Sequence, residues 1–156
     1  MTEVNKSAAV VLLPTTDEWC KQGFPHMTLV YVGDNVTSKS SVFNELLKVT
    51  YRVAMLTNPL AIKVSGVEVF GEEEKVDVLR MNTSPELLSV RGFFEAWDDG
   101  SYEDYKPHAT IGPVGSWNPN LSGGWDNPST HAPMYLVFDR ICIWWGDEKT
   151  IFWLKK

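Results

Sequence analysis

The segment Pro25-His26-Met27-Thr28-Leu29 returns later in the chain as Pro107-His108-Ala109-Thr110-Ile111. The chain has three histidines, and two of them occupy this one frame. Each copy lies in a stretch, 24–33 and 105–115, that reads as a strand bounded by Gly or Pro. Side chains on a strand alternate between its two sides. Within each copy His and Thr therefore share one side, while Met27 and Leu29, or Ala109 and Ile111, take the other. The apolar side requires a core, on which Tyr31 is also expected. The His/Thr side requires something polar to face. Brought together, two such faces would surround one space with two imidazoles and two hydroxyls.

Around these strands the pattern mixes helices and strands without strict βαβ alternation, which predicts an α+β fold. The apolar run 7–14, with Val10 and Val11 and a stop at Pro14, reads as a buried strand, followed by a polar loop over 15–23. Val42, Leu46, Val49 and Val53 mark one face of a helix over 38–53, with Thr37 or Ser38 as its cap. Two strands follow, 61–70 with an irregularity at Gly66 and 76–81, joined by Gly71 and the acidic run Glu72-Glu73-Glu74, a solvated turn. Thr83-Ser84-Pro85-Glu86 reads as a helix start with a capping box, and Leu87, Val90, Phe94 and Trp97 supply its buried face up to Asp98-Asp99-Gly100. Residues 116–132 form a Gly-, Pro-, Asn- and Ser-rich loop holding Trp117 and Trp125, and long loops in small domains are often lids or binding loops. Strands 134–145 and 150–155 make a hairpin about Gly146-Asp147-Glu148-Lys149, with Trp144, Trp145, Phe152 and Trp153 assigned to the core. At 156 residues, with no linker, the chain reads as one domain over 1–156.

Composition narrows the function. Fourteen Lys+Arg against twenty Asp+Glu give a net charge of −6. Long duplex nucleic acid needs cations to neutralise phosphates, so it is a poor partner for this chain, whereas a small phosphate ligand needs only a local pocket. Cys20 and Cys142 fit neither a metal cluster nor a disulfide framework and read as reduced, buried and inert. Residues 1–9 show no basic region followed by a signal-length apolar run, and the longest apolar run, 8–13, is too short for a bilayer. A cytoplasmic protein without a membrane partner is expected, and no cofactor is implied. There is no Walker loop, dinucleotide glycine fingerprint, G-x-S-x-G elbow or Cys-x-x-Cys. His131, in the long loop, lacks the following Thr and any carboxylate-rich context, and a three-histidine zinc site would leave the repeated threonines unexplained.

Two imidazoles and two hydroxyls around one space form a rational site for phosphodiester chemistry without a metal. One neutral imidazole takes a proton from the attacking oxygen and one imidazolium gives a proton to the leaving oxygen, both near working pH. Threonine hydroxyls donate to phosphate oxygens as charge develops there.

The paired His-x-Thr motifs, each followed by an aliphatic residue, resemble those of the two-histidine (2H) phosphoesterase superfamily, which includes LigT-like 2′-5′ RNA ligases, cyclic phosphodiesterases and bacteriophage proteins. HMTLVYVGD looks like the first motif with its trailing strand and YKPHATIG like the second. The resemblance implies a bilobal fold of two pseudo-symmetric halves, each an antiparallel sheet with outer helices, around a central cleft; approximate lobes are 1–70 and 71–156, with strands exchanged between them. It implies metal-independent cleavage of phosphodiesters, with His26 and His108 as acid and base and Thr28 and Thr110 holding phosphate. Some relatives carry a basic residue after the second motif, where this chain has Gly112-Pro113, so phosphate charge must be met elsewhere, by Lys21, Lys106 or Arg140. Tyr105, Trp117 and Trp125 complete the candidate substrate contacts, the tryptophans as stacking faces for a base. Small phage members of the superfamily hydrolyse cyclic di- and trinucleotide signals of bacterial anti-phage defence (anti-CBASS), and an acidic, compact chain is closer to these than to RNA ligation. The implied partner is a small cyclic nucleotide or short oligonucleotide. The rival reading is a sponge that binds the same ligand without cutting it.

Overall fold

A computed structural model describes residues 5–17, 19–21, 23–37, 41–100, 104–114 and 135–155. In chain order the elements are β1 (Asn5–Pro14), β2 (Met27–Thr37), α1 (Ser41–Leu56), β3 (Leu60–Phe70), β4 (Val76–Met81), α2 (Pro85–Gly92), a 3₁₀ turn (Glu95–Trp97), β5 (His108–Pro113), β6 (Tyr135–Trp145) and β7 (Glu148–Trp153). The fold is α+β, as expected.

All seven strands among the described residues belong to one antiparallel sheet, ordered β1-β2-β5-β4-β3-β6-β7, and β1 also pairs with β6. That extra pairing closes six strands into a ring, with β7 on the flank of β6. β6 makes the closure because it serves two neighbours in turn: Tyr135 to Phe138 run beside β3, and Phe138 to Trp145 run beside β1. On the opposite side of the ring β2 and β5 meet at a single register pair, Met27 with Ala109.

The continuous apolar run of β1 follows from its position between two strands and two packed faces. Val10 and Leu12 enter the main core, while Val11 and Leu13 join Cys142 in a smaller cluster edged by Ala9, Phe24 and Trp144. The main core gathers Met27 and Leu29 from β2, Ala109 and Ile111 from β5, and the inner faces of both helices. α1 packs on β6 and β7, and α2 on β3.

Several sequence expectations shift. On α1 the buried stripe is Leu46, Thr50, Val53 and Ala54, and Val42 is exposed. The Thr50 hydroxyl is accommodated there by donating back to the Leu46 carbonyl at 2.7 Å. Of the two cap candidates for this helix, Thr37 belongs to β2, and Ser38 lies outside the described residues. Ser84 rather than Thr83 caps α2, accepting from the Leu87 N–H, so Glu86 falls one position short of closing a capping box. Trp19, inside the stretch read as a polar loop, is fully buried, its indole N–H donating to the Thr16 carbonyl. The terminal hairpin turns on Gly146-Asp147 alone, with Trp145 opposite Glu148. Gly146 has a φ of +58°, the left-handed value such a two-residue turn requires. Trp145 is core, but Trp153 is 62% exposed, because β7 pairs on one side only and Trp153 sits under the Arg140 guanidinium instead of inside. Cys142 is buried, its thiol pushed up to about 11 by burial, whereas Cys20 is only half-buried.

Candidate active site

The Met27–Ala109 pair joins the residues that stand between His and Thr in the two motifs. Both are fully buried, facing the core. An antiparallel pair at that point sets Thr28 across from His108 and His26 across from Thr110, all on the side away from the core. The burial pattern agrees: the four are half-buried while Met27, Leu29, Ala109 and Ile111 are fully so. β2 begins at Met27, so His26 is the residue leading into its strand, while His108 is the first residue of β5.

Each imidazole is oriented by the same local device. His26 Nδ1 lies 2.6 Å from the Phe24 carbonyl oxygen, and His108 Nδ1 lies 2.8 Å from that of Lys106. A carbonyl only accepts, so Nδ1 carries the hydrogen and Nε2 is left as acceptor when neutral and donor when charged. The residue spanned is proline in both cases, Pro25 and Pro107, whose fixed φ and extended predecessor hold the carbonyl two positions back. Burial lowers both histidines below 6.5, and the carbonyl bonds pull partly the other way. His26 is lowered further by the charge of His108, and His108 by the guanidinium of Arg80.

The surroundings differ between the two. Trp144 stands edge-on to His26 with ring centres 4.9 Å apart, and Phe24 packs against the same indole at 5.2 Å. The Lys149 ammonium lies over both Phe24 and Trp144. His108 is walled by Phe70 at 4.6 Å. Arg80 is directly opposite His108 in the β4–β5 ladder, donates to the Pro107 carbonyl at 2.8 Å, and has Glu68 at 3.9 Å.

Among the described residues two cavities open on this face. One, of about 450 Å³, is lined by His108, Phe70, Tyr105 and Lys106, with Glu74, Asp104 and the Arg91–Asp98 ion pair also at its wall. The other, of about 270 Å³, is lined by His26, Trp144, Val11, Ser7 and Gly146. Thr28 and Tyr31 border both.

Tyr31 is thus not on the apolar side where alternation put it. A register shift between Val10 and Val11 lets Leu29 and Val30 both be buried in succession, which turns Tyr31 to the cleft, where its hydroxyl donates to Asp34. Tyr105 and Lys106 reach the cleft. The Tyr105 hydroxyl donates to the Thr28 carbonyl at 2.9 Å, tying the approach to β5 onto β2, and Arg91 lies over its ring. Burial pushes that phenol far above its ordinary range. Lys21 is exposed and lines neither cavity; its backbone N–H donates to Ile111. Arg140 is away from the cleft, bonded to Asp139 and to the Pro14 carbonyl. Trp117, Trp125 and His131 lie outside the described residues. Among the described residues no three His, Cys, Asp or Glu converge as metal ligands, and no helix is long and apolar enough to cross a membrane.

Phe70, Trp144 and Arg80 were missed by the sequence reading. Their place at the histidines depends on register between strands distant in sequence, and the one local signal was the aromatic richness around Trp144.

No family model matches the chain, and no curated protein matches it. Solved structures do. Usb1 of Kluyveromyces marxianus superposes with a TM-score of 0.64 at 9% identity, covering 96% of this chain and 99% of that one. Escherichia coli LigT complexed with 3′-AMP gives 0.57 at 13%, covering 97% and 96%. TT0787 of Thermus thermophilus gives 0.56 at 12%, covering 96% and 95%. At such identities the likeness shows the fold alone: this chain has the fold of Usb1, LigT and TT0787 over nearly its whole length.

Proposed function

We propose that this chain is a metal-independent phosphodiesterase that hydrolyses cyclic nucleotides or short oligonucleotides in the cytoplasm, with His26 and His108 as acid and base and Thr28 and Thr110 holding the phosphate. What carries the reading is the repetition of one device: two His-x-Thr segments side by side on one face, each imidazole with Nδ1 given to a carbonyl. Both Nε2 atoms are then left for proton transfer. A further support is that one of the superposing structures is LigT holding 3′-AMP.

In a 3′-5′ linkage the ribose 2′-OH attacks phosphorus and its proton passes to the neutral imidazole. The P–O5′ bond breaks, and the imidazolium donates its Nε2 proton to the departing oxygen. A 2′,3′-cyclic phosphate results, which water opens with the two roles exchanged. The phosphate charge that rises in between is met by the threonine hydroxyls, with the Arg80 guanidinium beside His108 and Arg91 at the larger cavity's wall.

The test is product analysis with EDTA present, on 2′,3′-cyclic nucleotides, cyclic di- and trinucleotides of the anti-phage signalling type, and 2′-5′ oligoadenylates. Turnover is expected, and His26→Ala and His108→Ala should each lose about two to four orders of magnitude. Near-normal turnover in both variants would remove the assignment. Tight binding of an intact cyclic nucleotide would make the protein a sponge.

A further inference from the structure

Among the described residues the cleft has two chambers, each with one histidine against an aromatic ring: His108 with Phe70 in the larger, His26 with Trp144 in the smaller. Thr28 and Tyr31 form the boundary they share. We infer that the site is built for a phosphodiester linking two nucleosides, with the phosphate over Thr28 and one base in each chamber, in preference to a 2′,3′-cyclic mononucleotide. This rests on the phosphodiesterase reading above.

The argument is one of matching parts. A cyclic mononucleotide has a single base and a small ring phosphate. It fills one chamber and leaves the other aromatic wall wet, so only half of the available stacking is realised. A dinucleoside phosphate has its anionic centre flanked by two π faces, the order in which the cleft presents aromatic wall, histidine, hydroxyl, histidine and aromatic wall. Stacking on an aromatic side chain is tolerant of base identity and adds appreciably per base. The chambers also suit the two oxygens that exchange protons. The nucleoside that supplies the attacking hydroxyl lies beside one imidazole and the leaving nucleoside beside the other, so neither histidine must reach across the phosphate. The smaller chamber is apolar as well as aromatic, backed by Val11 and the cluster with Leu13 and Cys142. The larger is mixed in charge, with Glu74 and Asp104 at its wall beside Lys106 and the Arg91–Asp98 ion pair.

Two measurements separate this inference from the reading beneath it. First, kcat/KM is compared for 3′-5′ adenylyl-adenosine, its 2′-5′ isomer and 2′,3′-cyclic AMP. At least one dinucleoside should exceed the cyclic mononucleotide by about tenfold or more, and Phe70→Ala and Trp144→Ala should each raise its KM about tenfold, with the smaller effect in kcat. Second, binding of the 2′-deoxy dinucleoside dApdA, which has no attacking hydroxyl, is titrated against that of dAMP. Tighter binding of dApdA, weakened by both variants, supports the two-chamber cleft even where no substrate is cut, in which case only the phosphodiesterase reading fails. Equal or better turnover of cyclic AMP with indifference to one of the two aromatic variants would overturn the inference while leaving the phosphodiesterase intact.

Discussion

A histidine whose Nδ1 hydrogen is given to a backbone carbonyl has one reactive atom left, and its ring no longer has a choice of tautomer. His26 and His108 are both in that state, and both are lowered below 6.5, chiefly by burial. Because each also lies within reach of another positive charge, the doubly protonated pair is the least favourable state, and the pair is suited to holding one proton between two bases. A bell-shaped rate profile is expected, with the pair titrating as a unit. Arg80 contributes to the lowering at His108, so Arg80→Met should raise the pKa of that ring and move the corresponding limb to higher pH. The other charged groups around His108 are Lys106, Glu74, Asp104 and the Arg91–Asp98 pair at the cavity wall and His26 across the strands. Titration of the ring resonances by NMR checks this, and an unmoved His108 would remove Arg80 from the account. The same shifts enter folding. Well above pH 6.5 the histidines are neutral folded and unfolded, and no stability is lost. As pH falls below 6.5 the unfolded chain binds protons the folded chain resists, and stability declines through the window down to the folded values. Urea midpoints between pH 7.5 and 5.5 should fall, and His26→Ala/His108→Ala should flatten part of that slope. That the two histidines and two threonines share one face was legible in the sequence because a repeated frame stands out against ordinary strand composition. Arg80 was not, since nothing local marks the residue that a β4–β5 register places beside His108.

At the level of elements, the histidine walls are placed by turns and bulges as much as by strands. Phe70 ends β3 at Gly71, where φ is +104° and an added Cβ would collide with the Glu74 carbonyl oxygen. Gly71→Ala should therefore cost about 1–3 kcal/mol in denaturant unfolding and lower activity together with stability, through Phe70. A midpoint unchanged from wild type would show that the turn relaxes freely. The helices and most strands could be read from periodicity, and the irregularity expected at Gly66 is present as a register shift between Val64 and Gly66. What periodicity does not carry is the shift in β2 that turns Tyr31 into the cleft, because MTLVYV alternates as well with a bulge as without one. Nor does it carry edge position: Trp153 has the same composition signal as Trp145, and differs in lying on a strand paired on one side only.

For the molecule as a whole, the closed ring means that no half of the sheet is complete alone. Phe138 is the joint, fully buried, opposite Leu60 on β3 and Pro14 on β1. Phe138→Ala should cost about 3–5 kcal/mol. Unfolding should stay a single transition, with tryptophan fluorescence and far-UV circular dichroism coincident. Separate transitions by the two probes would mean that the halves are independent after all. The overall architecture was expected from the motif resemblance. The closure of the sheet through β6 was beyond local reading, since it sets residues 8–14 against 138–145.

That closure has a consequence for how the protein comes into being. β1 is synthesised well before its partner β6, which lies more than a hundred residues later. The smaller chamber takes Ser7, Val11 and His26 from the early chain and Trp144 and Gly146 from the late chain. On a ribosome, the first histidine motif emerges with its apolar strand unpartnered on one edge and waits until β6 clears the exit tunnel. The smaller chamber is therefore complete only once the late strand has paired with the early one.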